Sequence, residues 1–465
     1  MENPTARRAD LGSAPALQND QRRLLKLANL TIFTIGLGFA VRASIADNLR
    51  TEIFSHIDPH RAASMVGEAL GMTFLGFAFT LLVGSALLDL IGIRRMLLLS
   101  ALCNLGGSAV VMLASSMSPS MSVYYLILAG LLATGIGWGT IEAAINPLVV
   151  SIEPENKSAR LNAVHAWWPA GIVLGGLLGT GFKVAAWPWQ LNLLTLCVPA
   201  ILLFILISRS HFPATERVQQ GVSYGDMWRE LYRRPQFLIF WACMWLTAST
   251  ELAPGQWVDL SLSNTVGMSG LLILIYVSLL MFSLRHFATV FAHRISSMAL
   301  LVISSALASI GLFGLAYARS PASALLFATI WGAGVCFMWP TMLANVSERF
   351  PRGGSLMMGL MGFAGGLAIE ILLPQLGKIF DQARIEAAGG VDQLSKLGEE
   401  QLRLITQLAS QESFLAIAYL PLALVPIFSA VWIADRWRLQ RRMLRDQQAA
   451  VQSSIVTTDL QGNAP

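Results

Sequence analysis

Long apolar runs of about twenty residues alternate with short polar stretches along almost the whole chain. A helix rises 1.5 Å per residue, so a run of about that length crosses a hydrocarbon layer of roughly 30 Å. Read this way, the pattern predicts twelve helices, at about 27–46, 65–88, 96–116, 123–151, 161–183, 189–208, 236–258, 267–291, 296–318, 322–346, 354–380 and 412–434. The expected class is an all-α membrane protein. Its longest internal polar segment, 209–235, divides the helices into a bundle at 27–208 and a second at 236–434, with polar tails at 1–26 and 435–465. Residues 381–412, polar but carrying Leu394, Leu397, Leu402 and Leu408, are expected outside the membrane, as an amphipathic helix or a solvated loop.

The placement of basic residues orients the spans. With both tails inside, the inner segments hold Arg7, Arg8, Arg22, Arg23, Lys26, Arg94, Arg95, Lys157, Arg160, Arg209, Arg217, Arg229, Arg233, Arg234, Arg294, Arg349 and Arg352. The outer segments are poorer, so positive-inside sorting places both termini in the cytoplasm of a cell membrane, expected to be a bacterial inner membrane. The excess of five positive charges is therefore a topological signal and not a nucleic-acid footprint. Only 13% of the residues are charged and 55% are hydrophobic, which excludes an ordinary soluble domain. Cys103, Cys197, Cys243 and Cys336 all fall in apolar spans, without metal-ligand spacing. No metal or cofactor is expected. Neither a phosphate-binding Gly-Lys-Ser/Thr loop nor a metal-hydrolase His-Glu pair occurs, which argues against an enzyme and against ATP-driven work.

A second regularity runs through the two halves. Asp89-Leu-Ile-Gly92-Ile-Arg94-Arg95 after helix 2 answers Ala292-His293-Arg294 after helix 8, and Glu153-Pro154 with Ser158 answers Phe350-Pro351 with Ser355, both at an offset near 200. Two parallel six-helix repeats place a binding cavity between them at the midplane.

Within this apolar chain, Glu142 demands a reason. It sits in the run Gly135-Ile-Gly-Trp-Gly-Thr-Ile-Glu142-Ala-Ala-Ile-Asn146-Pro147, where a charge costs at least ~2.5–3.5 kcal/mol. Such an acid marks a proton, ion or substrate site, and removal from water disfavours the ionised form of any carboxyl. Asn146 lies four residues on, hence on the same helical face; Asn162 and His165, three apart, likewise share a face of helix 5. Arg42, in the outer third of helix 1, requires an acid, and Asp47, Glu68 and Glu251 are the candidates. Glu251 precedes Pro254-Gly255, where the backbone is expected to unwind beside a transport site. Arg42, Asp89, Arg94, Arg95 and Arg285 read as gates or conformational latches between the halves. Gly171, Gly175 and Gly179 recur every fourth residue, as helix-packing glycines do.

Twelve spans with Asp89-x-x-Gly92-x-Arg94-Arg95 between helices 2 and 3 resemble the major facilitator superfamily. Gly135-x-Gly137, Glu142-x-Ala-x-Asn146-Pro147, Pro154-Glu155 and Arg160-Leu161-Asn162 are similar to its fucose/galactose/glucose proton symporter branch, as are Trp257, Arg285, Pro340-Thr341 and Pro374-x-x-Gly377. The resemblance implies proton-driven uptake of a monosaccharide by alternating access. It also implies that Asp47 and Glu142 are the proton-coupling pair. Asn146, Asn162, His165, Trp168, Glu251 and Trp257 are the candidate substrate contacts, and Glu251 is alternatively an extracellular gate or an ion-pair partner of Arg42. Ser44 stands where relatives tend to carry an amide. Sodium in place of the proton, export or uptake of another small solute, and a nutrient receptor that keeps the fold are the alternatives. A monomer in the bilayer, without nucleic acid, is expected.

Overall fold

The computed structural model describes residues 14–153, 157–219, 221–286, 295–394 and 396–462. Arg7, Arg8, Pro154-Glu155 and Ala292-His293-Arg294, all used in the sequence reading, lie outside them. Helix is the only regular secondary structure among the described residues. Eleven helices are long and apolar enough to cross a membrane: α1 Asp20–Ile57, α2 Ala62–Ile91, α3 Ile93–Ser115, α4 Met121–Ile152, α5 Arg160–Val184, α6 Leu191–Ser208, α7 Phe237–Ser263, α9 Ser297–Ala316, α10 Pro321–Arg349, α11 Pro351–Ala388 and α12 Glu399–Arg441. The shorter apolar helix Gly270–His286 supplies α8 and completes twelve in order. The molecule is an integral multi-pass membrane protein.

The boundaries differ most at the last loop. Residues 381–412 form neither a separate external helix nor a solvated loop, because α11 runs on to Ala388 and α12 begins at Glu399. Gly389 and Gly390, at φ of 78° and 126°, end α11 in a conformation that a side chain resists. Elsewhere the starts follow local chemistry. Ser120, Ser296 and Ser320 each accept a hydrogen bond from the backbone N–H three residues on, and Pro321 occupies the first turn of α10, where its missing N–H costs nothing.

The two halves end matching helices alike. Helix α4 stops at Glu153 (φ −132°, ψ 73°) and α10 at Phe350 (φ −129°, ψ 58°), an agreement at the spacing seen in the sequence. Glycines set how closely the helices approach. A Cβ on Gly171 would fall 2.1 Å from the Phe33 carbonyl oxygen and one on Gly175 2.8 Å from that of Leu37, so α5 lies directly on α1. Gly135 and Gly139 do the same for α4 on α2, meeting Thr73 and Phe77.

The halves touch at both ends of the bundle. On the side where α1 begins, here the tail side, Ser355 Oγ donates to the Ser85 carbonyl at 3.1 Å. On the far side, Ser64 donates to Asp381 Oδ2 through its backbone N–H at 2.9 Å and its hydroxyl at 2.7 Å. Between these contacts, α1, α2, α4 and α5 of the first half face α7, α8 and α10 of the second around a central cavity.

Candidate functional site

The cavity has a mostly aromatic wall: Phe39, Phe74, Phe77, Trp138, Trp168 and Trp339, with Ile35 and Leu252. Phe39 meets Trp168 edge-on, ring centres 5.2 Å apart, and Phe74 meets Trp138 likewise at 6.4 Å. Its polar members are Glu142, His165, Glu251 and Arg285.

These four belong to one connected arrangement. Asn146 Nδ2 donates to Glu142 Oε2 at 2.6 Å, and Asn146 Oδ1 lies 3.0 Å from His165 Nε2. Because the amide nitrogen is spent on Glu142, the Asn146 oxygen is left to accept, and His165 carries its proton on Nε2. From the other half, Arg285 Nη1 donates to the His165 carbonyl at 2.9 Å, and Nη2 reaches Glu251 Oε1 at 3.3 Å. Arg285 and Glu251 are 4% and 5% exposed, so each charge depends on the other.

Proline chemistry explains where Arg285 binds. Pro169 lacks the N–H that would bond to His165, four residues earlier, and Pro340 likewise frees the carbonyl of Cys336. The α5 helix is interrupted at Ala166 and α10 at Cys336–Phe337. Arg285 takes both freed carbonyls, donating Nε to Cys336 at 2.8 Å as well as Nη1 to His165. The unwinding expected at Pro254 does not occur: α7 stays helical there, and Trp331 Nε1 from α10 takes the Thr250 carbonyl that Pro254 frees, at 3.1 Å.

Of the residues singled out in the sequence, Glu142, Asn146, His165, Trp168 and Glu251 come together here. Arg285 joins them in the cavity wall while also bridging the halves through the His165 carbonyl. Asp47 does not. Its carboxylate is 41% exposed and held by Arg50 at 2.8 Å in the next turn, away from Glu142. Trp257 is fully buried against Phe380 outside the cavity. Asn162 is partly buried on α5 and does not line it. Arg42 finds none of its expected partners: Asp47 is engaged by Arg50, Glu68 by Arg61 and the Tyr124 hydroxyl, and Glu251 by Arg285.

At the tail side, the acid Asp89 binds Arg217 of the central segment, accepting from Nε at 2.6 Å, and also accepts from Thr215 Oγ1 at 2.6 Å. Arg94 instead ties α3 to the end of α6, donating to the Ser208 carbonyl at 2.5 Å, and Arg95 is exposed. Thr215, Arg217 and Val222 thereby border a second cavity of about 600 Å³ with Pro147 and Val150 of α4, Ser347 of α10 and the start of α11. Arg217 as a site residue and, apart from Trp168, the aromatic wall were not picked out from the sequence. Trp138, four residues before Glu142, carried the right helical spacing, but Phe39, Phe74 and Trp339 look like any other apolar residue of a span.

Residues 29–372 match the family model of the Major Facilitator Superfamily, well over half of the chain. The chain belongs to the Major Facilitator Superfamily. A search of curated proteins found no match. Among solved structures, it is similar to the xylose transporter XylE from E. coli, with 14% identity, 86% of this chain and 97% of that one covered and a TM-score of 0.66. It is also similar to the E. coli fucose:proton symporter FucP, with 16% identity, 87% and 99% covered and a TM-score of 0.58. A third is the human organic anion transporter TETRAN, with 15% identity, 86% and 99% covered and a TM-score of 0.57. At such identities the likeness establishes the fold alone, two six-helix halves around a central cavity; it is membership of the superfamily that makes the protein a membrane transporter.

Proposed function

We propose that this superfamily member is a secondary active transporter that carries a hydroxylated solute of monosaccharide size in symport with a proton, by alternating access. The observation that carries the reading is the hydrogen-bonded chain from Glu142 through Asn146 and His165 to Arg285 and Glu251, laid along an aromatic cavity between the halves. A buried carboxyl is most stable neutral and releases its proton when water reaches it, so Glu142 can load on one side and unload on the other. Arg285 belongs to the second half yet grips a carbonyl of the first. Rearrangement of the Glu142–Asn146–His165 contacts is therefore felt where the halves meet, and proton occupancy biases their rocking. The aromatic wall suits the C–H faces of a sugar ring, and the amide, imidazole and carboxyl groups suit its hydroxyls. XylE and FucP, whose solutes are xylose and fucose, agree with this reading in scale.

In the membrane the tail side would face the cytoplasm, by the sorting of basic residues. One charge moving down 100 mV supplies roughly 2.3 kcal/mol, enough to concentrate a neutral solute about fifty-fold at 1.4 kcal/mol per decade.

The test is uptake into proteoliposomes of labelled monosaccharides, neutral and acidic, first selected by thermal shift of the purified protein. Symport predicts accumulation that follows an imposed pH gradient without sodium. Accumulation that follows a sodium gradient at constant pH, or binding without exchange, would contradict it. Glu142→Gln, a fixed mimic of the protonated acid, should abolish gradient-driven accumulation and keep counterflow; unaltered accumulation would remove Glu142 from the coupling role.

A further inference from the structure

Arg42 is a charged group that the proposed coupling mechanism leaves unused. It is 2% exposed, and its Nε, Nη1 and Nη2 have no hydrogen-bond partner. Its guanidinium carbon lies 3.8 Å from the centre of the Trp138 ring and 5.4 Å from that of Phe74. Cation–π attraction offsets only part of the hydration that a buried arginine loses, and an arginine at membrane depth ordinarily pairs with an acid. Here the three acids that the sequence offers as partners are engaged elsewhere.

Arg42 does not itself line the central cavity but packs against two residues that do. Ile35 and Phe39 line the central cavity, and Arg42 continues the same face of α1 one turn farther out. Both rings on which it rests, Trp138 and Phe74, are cavity walls. A planar guanidinium with its donors free matches a carboxylate through two parallel hydrogen bonds.

A second observation lies on the far side, between α1, α7, α11 and α12. A cavity of about 800 Å³ is lined there by Arg50, Arg384 and Arg403 against one acid, Glu399. Arg50 is neutralised by Asp47, and Asp381, one turn before Arg384, accepts from Ser64. Arg384 Nε is buried without a hydrogen-bond partner. A concave basic surface with an unsatisfied guanidinium N–H draws anions to this end of the bundle.

We propose that the solute is an anion, a hydroxylated carboxylate of the uronic or aldonic acid class, whose carboxylate is received by Arg42 while its carbon skeleton lies against Phe39, Trp138 and Trp168. The proposal rests on the reading of the central cavity as the solute site. It also gives coupling a physical cause. Glu142 stands one helical turn from Trp138 on the same cavity, and two negative groups so close repel, so the anion binds when Glu142 carries its proton.

The experiment is binding to the purified full-length protein of D-glucuronate, D-galacturonate and D-gluconate, each beside neutral D-glucose or D-galactose. At least one acid should bind on the order of tenfold tighter than its neutral counterpart, a preference worth about 1.4 kcal/mol. That ratio should fall to about one in Arg42→Gln and recover in part in Arg42→Lys, whereas a merely structural arginine would weaken acid and neutral sugar together and leave the ratio unchanged. Acid affinity should also fall as pH rises in the wild type and lose that dependence in Glu142→Gln. A wild type that prefers the neutral sugars, or a ratio unmoved by Arg42→Gln, overturns the anion assignment and leaves the monosaccharide reading standing. Folded wild-type protein that binds no member of the set overturns both.

Discussion

Arg285 concentrates more obligations than any other side chain at the site. It neutralises Glu251, caps a carbonyl in its own half and caps another across the interface. Arg285→Ala leaves a buried carboxylate and two unpaired carbonyls, and breaking a buried pair in this way costs about 3–5 kcal/mol. Its melting temperature in detergent should fall well below the wild type, and adding Glu251→Gln to it should recover part of the loss. A single variant that melts with the wild type would show that the pair carries no such burden. The place of Glu142 at the central cavity was legible in the sequence because an acid in an apolar run has few reasons to exist, and its contact with Asn146 followed from their spacing. Arg42 was legible as a problem only. Its lack of a partner depends on which acids Arg50, Arg61, Tyr124 and Arg285 claim, and sequence spacing does not rank those competitors.

At the scale of helices, prolines decide where the backbone can be read by side chains. Pro169 and Pro340 open α5 and α10 where Arg285 binds, whereas α7 stays helical through Pro254, with Trp331 taking the carbonyl that it frees. Restoring an N–H with Pro169→Ala would let residue 169 compete with Arg285 for the His165 carbonyl and straighten α5. Counterflow should slow several-fold with binding changed less, since the altered contact lies between halves; unchanged counterflow would mean that the break in α5 is incidental. The sequence reading placed an opening at Pro254 from a local Pro-Gly pair, whereas the freed carbonyl meets a tryptophan from another helix. Glycine spacing was more reliable, because a Cβ at Gly171 or Gly175 would strike the α1 backbone whatever the neighbouring side chains do.

At the scale of the whole molecule, the number and order of spans were visible in hydropathy, which is a property of length and polarity alone, and the two-fold repeat in paired loop motifs at an offset near 200. The tail-side closure was not. Asp89 stood out as a latch, but its partner Arg217 lies 128 residues on, in a polar segment without periodicity. Asp89→Asn weakens a partly buried ion pair whose side chains are 12% and 11% exposed, and should release Thr215 and Arg217 from the cavity bordered by Val150. With the four native cysteines replaced, a cysteine at Val150 should then react with a maleimide several-fold faster than when Asp89 is present; equal rates would place the closure elsewhere. The most direct test of the coupling claim is solute-driven proton movement. In proteoliposomes with a trapped pH indicator, adding the solute that binds should acidify the lumen for the wild type, whereas Glu142→Gln should exchange the solute and move no protons. Wild-type proton flux in Glu142→Gln would contradict the account.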